Sequence, residues 1–322
     1  MTKFDRLENL SYKWLMRCVV TGASGFVGQH LVRRLATHGH SGIATGRAPP
    51  ADLPAGWTAA TRSELLRDTF RDCDAVIHLE VKQHAPRPTA ADIEAFEAVN
   101  VGGTRDWLTW ATRNGVNRFM LTSSIKAASP DGPYGASKAR AEAAVQEWAV
   151  ADPARQATIL RPAPVYGPGN EANLAAFVRQ VVAGRPCLVG DGSVRKSVVS
   201  VGNVTAAIEF LADRKTQGCA VFTVTDPATL SLRELATLIA TLAKSPLPRS
   251  IPRIVARCAA PLGDAITSVT GREMPLTTAR LRALDEESVF SCDDLVAAGF
   301  QHPQTTREGL TELVESLTLG RL

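Results

Sequence analysis

Short unbroken apolar runs alternate along the chain with longer stretches whose apolar residues recur at helical spacing. Cys18-Val19-Val20 reads as a buried strand, and Val27, Leu31 and Leu35 follow it four apart, as one face of a helix. A weak strand over 42–45, a strand over 57–61 and a polar helix from Ser63 come next. Residues 75–79 form a further buried run, and a helix leads from Asn100 to Ala111. Residues 118–124 are a strand, the helix opening at Tyr134 reaches Trp148, and 157–160 is again a strand. This alternation predicts a parallel sheet covered by helices on both faces.

Past residue 168 the order changes. A helix over 173–183, a short strand and a glycine turn at 190–192 precede runs at 197–201 and 221–224. These two runs read as the last strands of the first sheet, with a helix over 203–212 between them. Ser231 and Glu234 read as a capping box opening another helix. The proline-bearing stretch 245–290 is read as loops and helices of a smaller unit, completed by 291–300 and a final helix. The chain thus divides into an N-terminal extension (1–15), a first domain (16–168 with 196–225) and a second domain (169–195 with 226–322).

Composition narrows the function classes. Of 322 residues, 45% are hydrophobic and 21% charged, the balance of a soluble globular protein rather than a disordered one. The net charge of +4 is scattered without a Lys/Arg run, so neither nucleic acid nor membrane is expected as a partner. No apolar run reaches the roughly 18–20 residues of a membrane span. Residues 1–15 are too polar and mixed in charge for a signal peptide, and a cytoplasmic location is expected. The six cysteines are isolated, with no Cys-x-x-Cys and no metal-like pairing with histidine, so reduced thiols and no metal site are expected.

The turn after the first strand carries the first chemistry. In Thr21-Gly22-Ala23-Ser24-Gly25-Phe26-Val27-Gly28, Gly22 permits a tight turn, Gly25 lets the backbone approach a pyrophosphate, and Gly28 lets the helix pack closely on the sheet. The free N–H groups at the helix start are an anion site. The alternative reading is a strand-to-helix turn without a ligand. The spacing Gly-x-x-Gly-x-x-Gly resembles the extended branch of the short-chain dehydrogenase/reductase superfamily, the nucleotide-sugar epimerases, dehydratases and reductases. That resemblance implies a Rossmann-type doubly wound α/β fold with a smaller mixed C-terminal substrate domain. It also implies a nicotinamide cofactor, held by Gly22, Ser24, Gly25, Phe26, Val27 and Gly28. Where relatives that prefer NAD carry a carboxylate after the second strand, this chain has Gly46 and then Arg47. A guanidinium there suits a 2′-phosphate, which favours NADP, with NAD as the alternative and a solvated surface arginine as the bland reading.

Later motifs are similar to the same family. Ala75-Val76-Ile77-His78-Leu79 matches a strand whose following alanine is here Glu80, a carboxylate expected to point away from a pyrophosphate or to find a cation. Leu79 is counted with the cofactor site, and His78 is read as a core histidine. Asn100-Val101-x-Gly103-Thr104 matches a bracing motif, so Asn100 is read as structural. Trp107 and Trp110 are read as a packing or dimer face, and the helices starting near Gly102 and Tyr134 are those that relatives pack into a homodimer.

Ser124 closes the strand 118–124, and Tyr134 and Lys138 lie four apart on one helical face. An ammonium so placed, with a positive nicotinamide ring nearby, can lower a tyrosine pKa from about 10 towards neutrality. Such a phenol can exchange a proton with a sugar hydroxyl to which Ser124 also hydrogen-bonds. Ser124, Tyr134 and Lys138 are therefore the expected catalytic residues, and Tyr134 and Lys138 also count as cofactor contacts. Nine residues separate Ser124 from Tyr134, fewer than in relatives, but nine extended residues reach about 30 Å. Arg161-Pro162-Ala163-Pro164-Val165-Tyr166-Gly167-Pro168-Gly169 matches the family loop that meets the nicotinamide amide, which adds Pro162 to the cofactor set. The resemblance places substrate diphosphate contacts at Asn173, Arg195 and Lys196, beside Ser124.

The function expected is an NAD(P)-dependent 4-epimerase acting on a UDP-sugar, of the kind used in surface-polysaccharide synthesis. The alternatives are an NADPH-dependent reductase of a 4-keto sugar or other small ketone, and a non-catalytic NADP-binding regulator. Dehydratases carry an Asp-Glu pair where this chain has Ile125 and Lys126.

Overall fold

A computed structural model describes residues 15–46, 52–67, 72–83, 88–170, 173–214, 216–270, 274 and 276–319. Arg47 and the N-terminal extension before Leu15 therefore lie outside the described residues. The first half runs β1 (Arg17–Thr21), α1 (Phe26–Thr37), β2 (Ser41–Gly46), β3 (Trp57–Thr61), α2 (Arg62–Arg67), β4 (Ala75–His78) and α3 (Ala90–Ala95). A π-helical stretch, Phe96–Gly102, leads into α4 (Gly103–Arg113), followed by β5 (Arg118–Thr122), α5 (Pro133–Val150), β6 (Gln156–Pro162) and β7 (Val165–Tyr166).

The second half runs α6 (Asn173–Val182), β8 (Pro186–Val189), β9 (Arg195–Lys196), β10 (Val199–Ser200), α7 (Val201–Ala212), β11 (Gly218–Val224) and β12 (Leu230–Ser231). It ends with α8 (Leu232–Leu242), β13 (Arg249–Ile251), α9 (Arg253–Thr270), α10 (Thr278–Asp285), α11 (Asp293–Ala297) and α12 (Thr306–Leu319).

Seven strands form one parallel sheet in the order β11-β6-β5-β4-β1-β2-β3. The order reverses direction at β1, which opens a crevice above the carboxyl ends of β1 and β4. Because successive side chains point to opposite faces of a strand, neighbours in sequence enter different cores. Val20, Ile77 and Met120 join Leu31 and Leu35 of α1 and Val204 and Ile208 of α7. Val19, Val76 and Phe119 join Trp107 and Trp110 of α4 and Val145 and Trp148 of α5. Each large apolar side chain removed from water this way contributes about 1.5–3 kcal/mol. A third cluster ties α6, α8 and α12 together through Val178, Leu235, Ile239 and Leu310, and a fourth joins Ala256 and Ala260 of α9 to Val189 and Leu281. The Ser231–Glu234 capping box forms as expected, with both reciprocal bonds present.

Two expectations are corrected. The run 197–201 is not a strand of the main sheet: β10 pairs with β7 in a separate two-stranded sheet, and β11 takes the edge beside β6 over seven paired positions. A buried polar knot holds β10 in place instead. Asp226 accepts from the Ser200 N–H (2.9 Å), from Asn203 Nδ2 (2.8 Å) and from the Tyr166 hydroxyl (2.6 Å). For Trp107 and Trp110 the packing reading holds and the dimer-face alternative falls. Both rings are fully buried against the sheet, and their indole N–H groups find inward acceptors, Glu80 Oε2 at 3.2 Å and the Leu65 carbonyl at 2.6 Å.

Candidate active site

At the end of β1 the backbone turns at Gly22 with φ +65°, and a Cβ there would lie 2.9 Å from the Leu79 carbonyl carbon and the Glu80 nitrogen. A Cβ on Gly28 would lie 2.3 Å from the Gly22 oxygen. Only glycine fits such approaches. The Gly25 N–H donates to the Gly22 carbonyl (2.9 Å), and Gly25 is the N-cap of α1 without a side-chain cap or an acid in the first turn. That helix start is therefore free for an external anion.

Ser24 is half-buried on the turn, Val27 packs against the α1–α7 core, and Phe26 meets His30 edge-on at 5.4 Å. His30 Nε2 lies 3.0 Å from the Pro168 carbonyl, which joins the glycine turn to the proline-rich loop after β6. Leu79 is buried, with its N–H donating to the Thr21 carbonyl at 3.3 Å. Pro162 closes β6, and the next residue, Ala163, donates from its N–H to the Val224 carbonyl (2.9 Å).

At the carboxyl ends of β2 and β5, the hydroxyls of Thr45, Thr122 and Ser123 are buried without a hydrogen-bond partner among the described residues. Orphaned buried hydroxyls beside a glycine-lined turn fit a polar ligand lying along the strand ends, as a dinucleotide would.

Next to these hydroxyls stands the tyrosine. Gly132 caps α5 and Pro133 occupies its first turn, so Tyr134 projects from the helix start. The short connection works because residues 125–127 coil into one 3₁₀ turn and the helix start packs tightly on it: a Cβ on Gly135 would lie 2.6 Å from the Lys126 carbonyl. Ser124 and Tyr134 are hydrogen-bonded through their side chains, and Ser124 Oγ also accepts from the Lys126 N–H at 3.3 Å. Phe96 packs edge-on against the Tyr134 ring at 5.8 Å.

Lys138 is fully buried one helical turn on, and its Nζ donates to the Thr122 carbonyl at 2.8 Å. Burial pushes its pKa down to about 8, against the opposing field of Glu142. In the protein alone, burial holds Tyr134 above its ordinary value, because the ring loses the water that would solvate a phenolate, and the Ser124 bond offsets this only in part.

The model of the NAD dependent epimerase/dehydratase family matches residues 18–223. The chain belongs to that family. It is an NAD(P)-dependent enzyme of the epimerase/oxidoreductase type. The N-acetyl-alpha-D-glucosaminyl-diphospho-ditrans,octacis-undecaprenol 4-epimerase of Escherichia coli O157:H7 is 26% identical, over 92% of this chain and 94% of that protein. The ceramide reductase of Caulobacter vibrioides is 34% identical over 52% of each chain. The solved structure of MoeE5 in complex with UDP-glucose and NAD superposes with a TM-score of 0.71 at 22% identity, covering 95% of this chain and all of that one.

In this epimerase/dehydratase family member, the site rests on braces that a linear reading only partly finds. Asn100, read as structural, clamps the segment after β4 to α5. Its Oδ1 accepts from the Lys82 N–H (2.9 Å), while Nδ2 donates to the Lys82 carbonyl (3.3 Å) and to Ser137 Oγ (2.9 Å). Ser137, which the motif reading passed over, donates in turn to the Tyr134 carbonyl at 2.8 Å. Glu142 was missed as well. It is buried and takes Arg161 in a two-pronged pair at 3.0 and 2.5 Å, joining α5 to β6. Its spacing of four from Lys138 was the available signal.

His78 is a core group, as expected. Burial drives its pKa down to about 3, so it is neutral, and its neighbours assign the tautomer. Thr104 Oγ1 donates to the Asn100 carbonyl (2.7 Å) and accepts from Nε2–H (3.2 Å), while Nδ1 accepts from Thr21 Oγ1 (2.7 Å). Glu80 found its cation: Arg62 lies 3.4 Å away.

The three residues expected at the substrate diphosphate fare differently. Asn173 opens α6, and its side chain is outside the described residues. Arg195 and Lys196 are neighbours on β9 and diverge. Arg195 is exposed, donates to the Thr229 carbonyl (3.2 Å) and lines a pocket with Asp191, Ser193, Arg233 and Glu234. Lys196 turns the other way and donates to the Glu286 carbonyl. Half-burial lowers its pKa against the pull of Glu286 and Glu287.

Proposed function

We propose that this protein is a nucleotide-sugar 4-epimerase that takes a UDP-sugar and uses NADP, with NAD as the alternative cofactor. The observation that carries this reading is the meeting of the Ser124 and Tyr134 side chains at the end of β5, with the Lys138 ammonium one turn away. When bound, the nicotinamide supplies a reversible hydride sink for the hydrogen on sugar C4.

Tyr134 Oη takes the proton of the C4 hydroxyl, and Ser124 Oγ holds the same oxygen in line through a hydrogen bond. The positive charge of Lys138 favours the phenolate that must exist before each transfer. The buried hydroxyls of Thr45, Thr122 and Ser123 are available to a dinucleotide lying from the glycine turn to Pro162. Asn173 and Arg195, the exposed member of the pair on β9, are assigned to the substrate diphosphate, whereas Lys196 is turned to the Glu286 carbonyl. After the C4 oxygen has become a carbonyl, Tyr134 returns its proton once hydride has been restored to the opposite face. The atoms then balance with no net consumption of cofactor.

A sugar attached through a diphosphate is also the substrate in the name of the relative that spans nearly the whole chain, which supports this class. Gly46 at the end of β2, followed by Arg47 in place of a carboxylate, favours a second reading. An NADPH-dependent reductase exchanges cofactor at every turnover, and proteins named as reductases stand among the relatives.

One experiment separates the two. Purified protein is incubated with UDP-glucose or UDP-N-acetylglucosamine while NMR follows the sugar and absorbance follows the nicotinamide. Interconversion of C4 epimers without net cofactor change is expected. NADPH oxidation matched to reduction of an added 4-keto sugar, without epimerisation, overturns the epimerase in favour of the reductase.

A further inference from the structure

Helix α9 buries one face and leaves the other in solvent. Ala256, Ala260, Gly263 and Thr267 turn inward, whereas Ile254, Val255, Leu262, Ile266 and Val269 are 78%, 53%, 66%, 44% and 85% exposed. At 3.6 residues per turn these five, with Cys258 and Ala265, fall within one arc of about 120° that holds no charged residue. Leu247, in the loop before β13, is 72% exposed as well.

The stretch of chain that carries the arc is basic. Between residues 244 and 270 stand Lys244, Arg249, Arg253 and Arg257 against a single acid, Asp264, which accepts from the Thr278 N–H. Arg253 lies 3.8 Å from Asp285 and 4.0 Å from Asp191. Lys244, Arg249 and Arg257 are exposed and make no ion pair among the described residues.

We propose, against the expectation of no membrane partner drawn from the scattered net charge, that this face docks on an anionic phospholipid membrane, with α9 lying in the plane of the interface. An apolar arc flanked on one side by a cation is a pattern of interfacial helices, whose apolar side chains enter the acyl boundary while the flanking arginine, here Arg257, meets a phosphate headgroup. The helix does not cross: among the described residues none is long and apolar enough.

The inner side of α9 packs on Val189, and Arg253 reaches Asp191 in the turn that leads to β9. Docking therefore brings the strand of Arg195 and Lys196 close to headgroup level. The inference does not depend on the reaction assigned to the site.

Flotation of the whole protein with vesicles tests it. Wild type is expected to float with phosphatidylglycerol–phosphatidylcholine vesicles and about tenfold less with phosphatidylcholine alone. The triple variant Leu262→Ser, Ile266→Ser, Val269→Ser should lose about tenfold or more of that binding while keeping its melting temperature, since all three side chains are exposed. Arg249→Glu with Arg257→Glu should abolish the preference for anionic vesicles. The proposal is overturned if wild type does not float, or if the triple variant floats as wild type does. It is equally overturned if light scattering shows an oligomer that the triple variant dissolves, which assigns the face to a second copy. Protection of α9 from hydrogen exchange that is lost on deleting residues 1–14 would assign it to that segment instead.

Discussion

The Nζ of Lys138 is hydrogen-bonded to the main-chain carbonyl of Thr122 at 2.8 Å, where β5 leaves the sheet. This bond fixes the first turns of α5 against the strand end that carries Ser124, and it holds a lysine in a place without water. Burial takes the Lys138 pKa down to about 8. Between that value and the ordinary lysine range the unfolded chain binds more protons than the folded one, so this group makes stability rise with pH there. The unfolding free energy of wild type relative to Lys138→Met is expected to grow between pH 8 and 10.5, by on the order of a few kcal/mol. Denaturant titrations of both proteins across that window check it, and a flat difference would disprove it.

Tyr134 should not ionise at neutral pH in the free protein, because burial raises its pKa. Ultraviolet titration of wild type against Tyr134→Phe is expected to show no difference signal for phenolate below about pH 10, with the onset moving down when cofactor is added. The same variant should lose turnover by about 10²- to 10⁴-fold with cofactor affinity almost unchanged, since only the proton relay is removed.

Gly28→Ala tests the glycine turn. The new methyl would sit 2.3 Å from the Gly22 oxygen and 2.6 Å from the Ala23 Cα, both main-chain atoms that cannot swing aside. A loss of about 1–3 kcal/mol in stability is expected from overpacking, together with weaker cofactor binding. Calorimetry and fluorescence titration with NADPH measure the two effects separately.

Arg47→Asp should move cofactor preference from NADP(H) towards NAD(H). A charge-assisted contact with a 2′-phosphate contributes about 1.5–3 kcal/mol, less where solvent reaches it. Equal dissociation constants for the two cofactors in wild type would remove the basis of this prediction.

A homodimer is expected through the outer faces of α4 and α5. With Trp107 and Trp110 facing inward, the surface left for it comprises Arg105, Thr109, Glu147 and Val150, the last 81% exposed. A monomer by light scattering at micromolar concentration would count against it.

Much of the site was legible in one dimension because its parts are local. A glycine turn between a strand and a helix, or a tyrosine and a lysine four apart on a helix, is set by backbone geometry over a few residues. The parallel, helix-covered character of the sheet followed from alternation in the same way. Where a side chain's role depends on what faces it, the linear reading went astray. Trp107 and Trp110 could serve a packing or a dimer face until α4 is laid on the sheet and both indoles find acceptors inside. The run 197–201 has the look of a sheet strand, yet Asp226, Tyr166 and Asn203 draw it into a separate pair with β7.

By itself, then, the sequence determined a parallel sheet of alternating strands and helices and the glycine turn, because helix and strand periodicity and glycine conformations are short-range properties, while its resemblance to a known family pointed to the Rossmann type and to Ser124, Tyr134 and Lys138. Only the tertiary structure decided that Asn100 and Ser137 brace the tyrosine, that Glu142 holds Arg161, that Arg195 and Lys196 part company on β9, and that α9 keeps an apolar face in solvent. Each of these depends on which groups are brought within a few ångströms from distant points in the chain, and on how much water remains between them. Desolvation is a property of the packed neighbourhood rather than of the residue. For that reason Tyr134, identified at once from its motif, shows only in the fold a phenol that burial holds protonated.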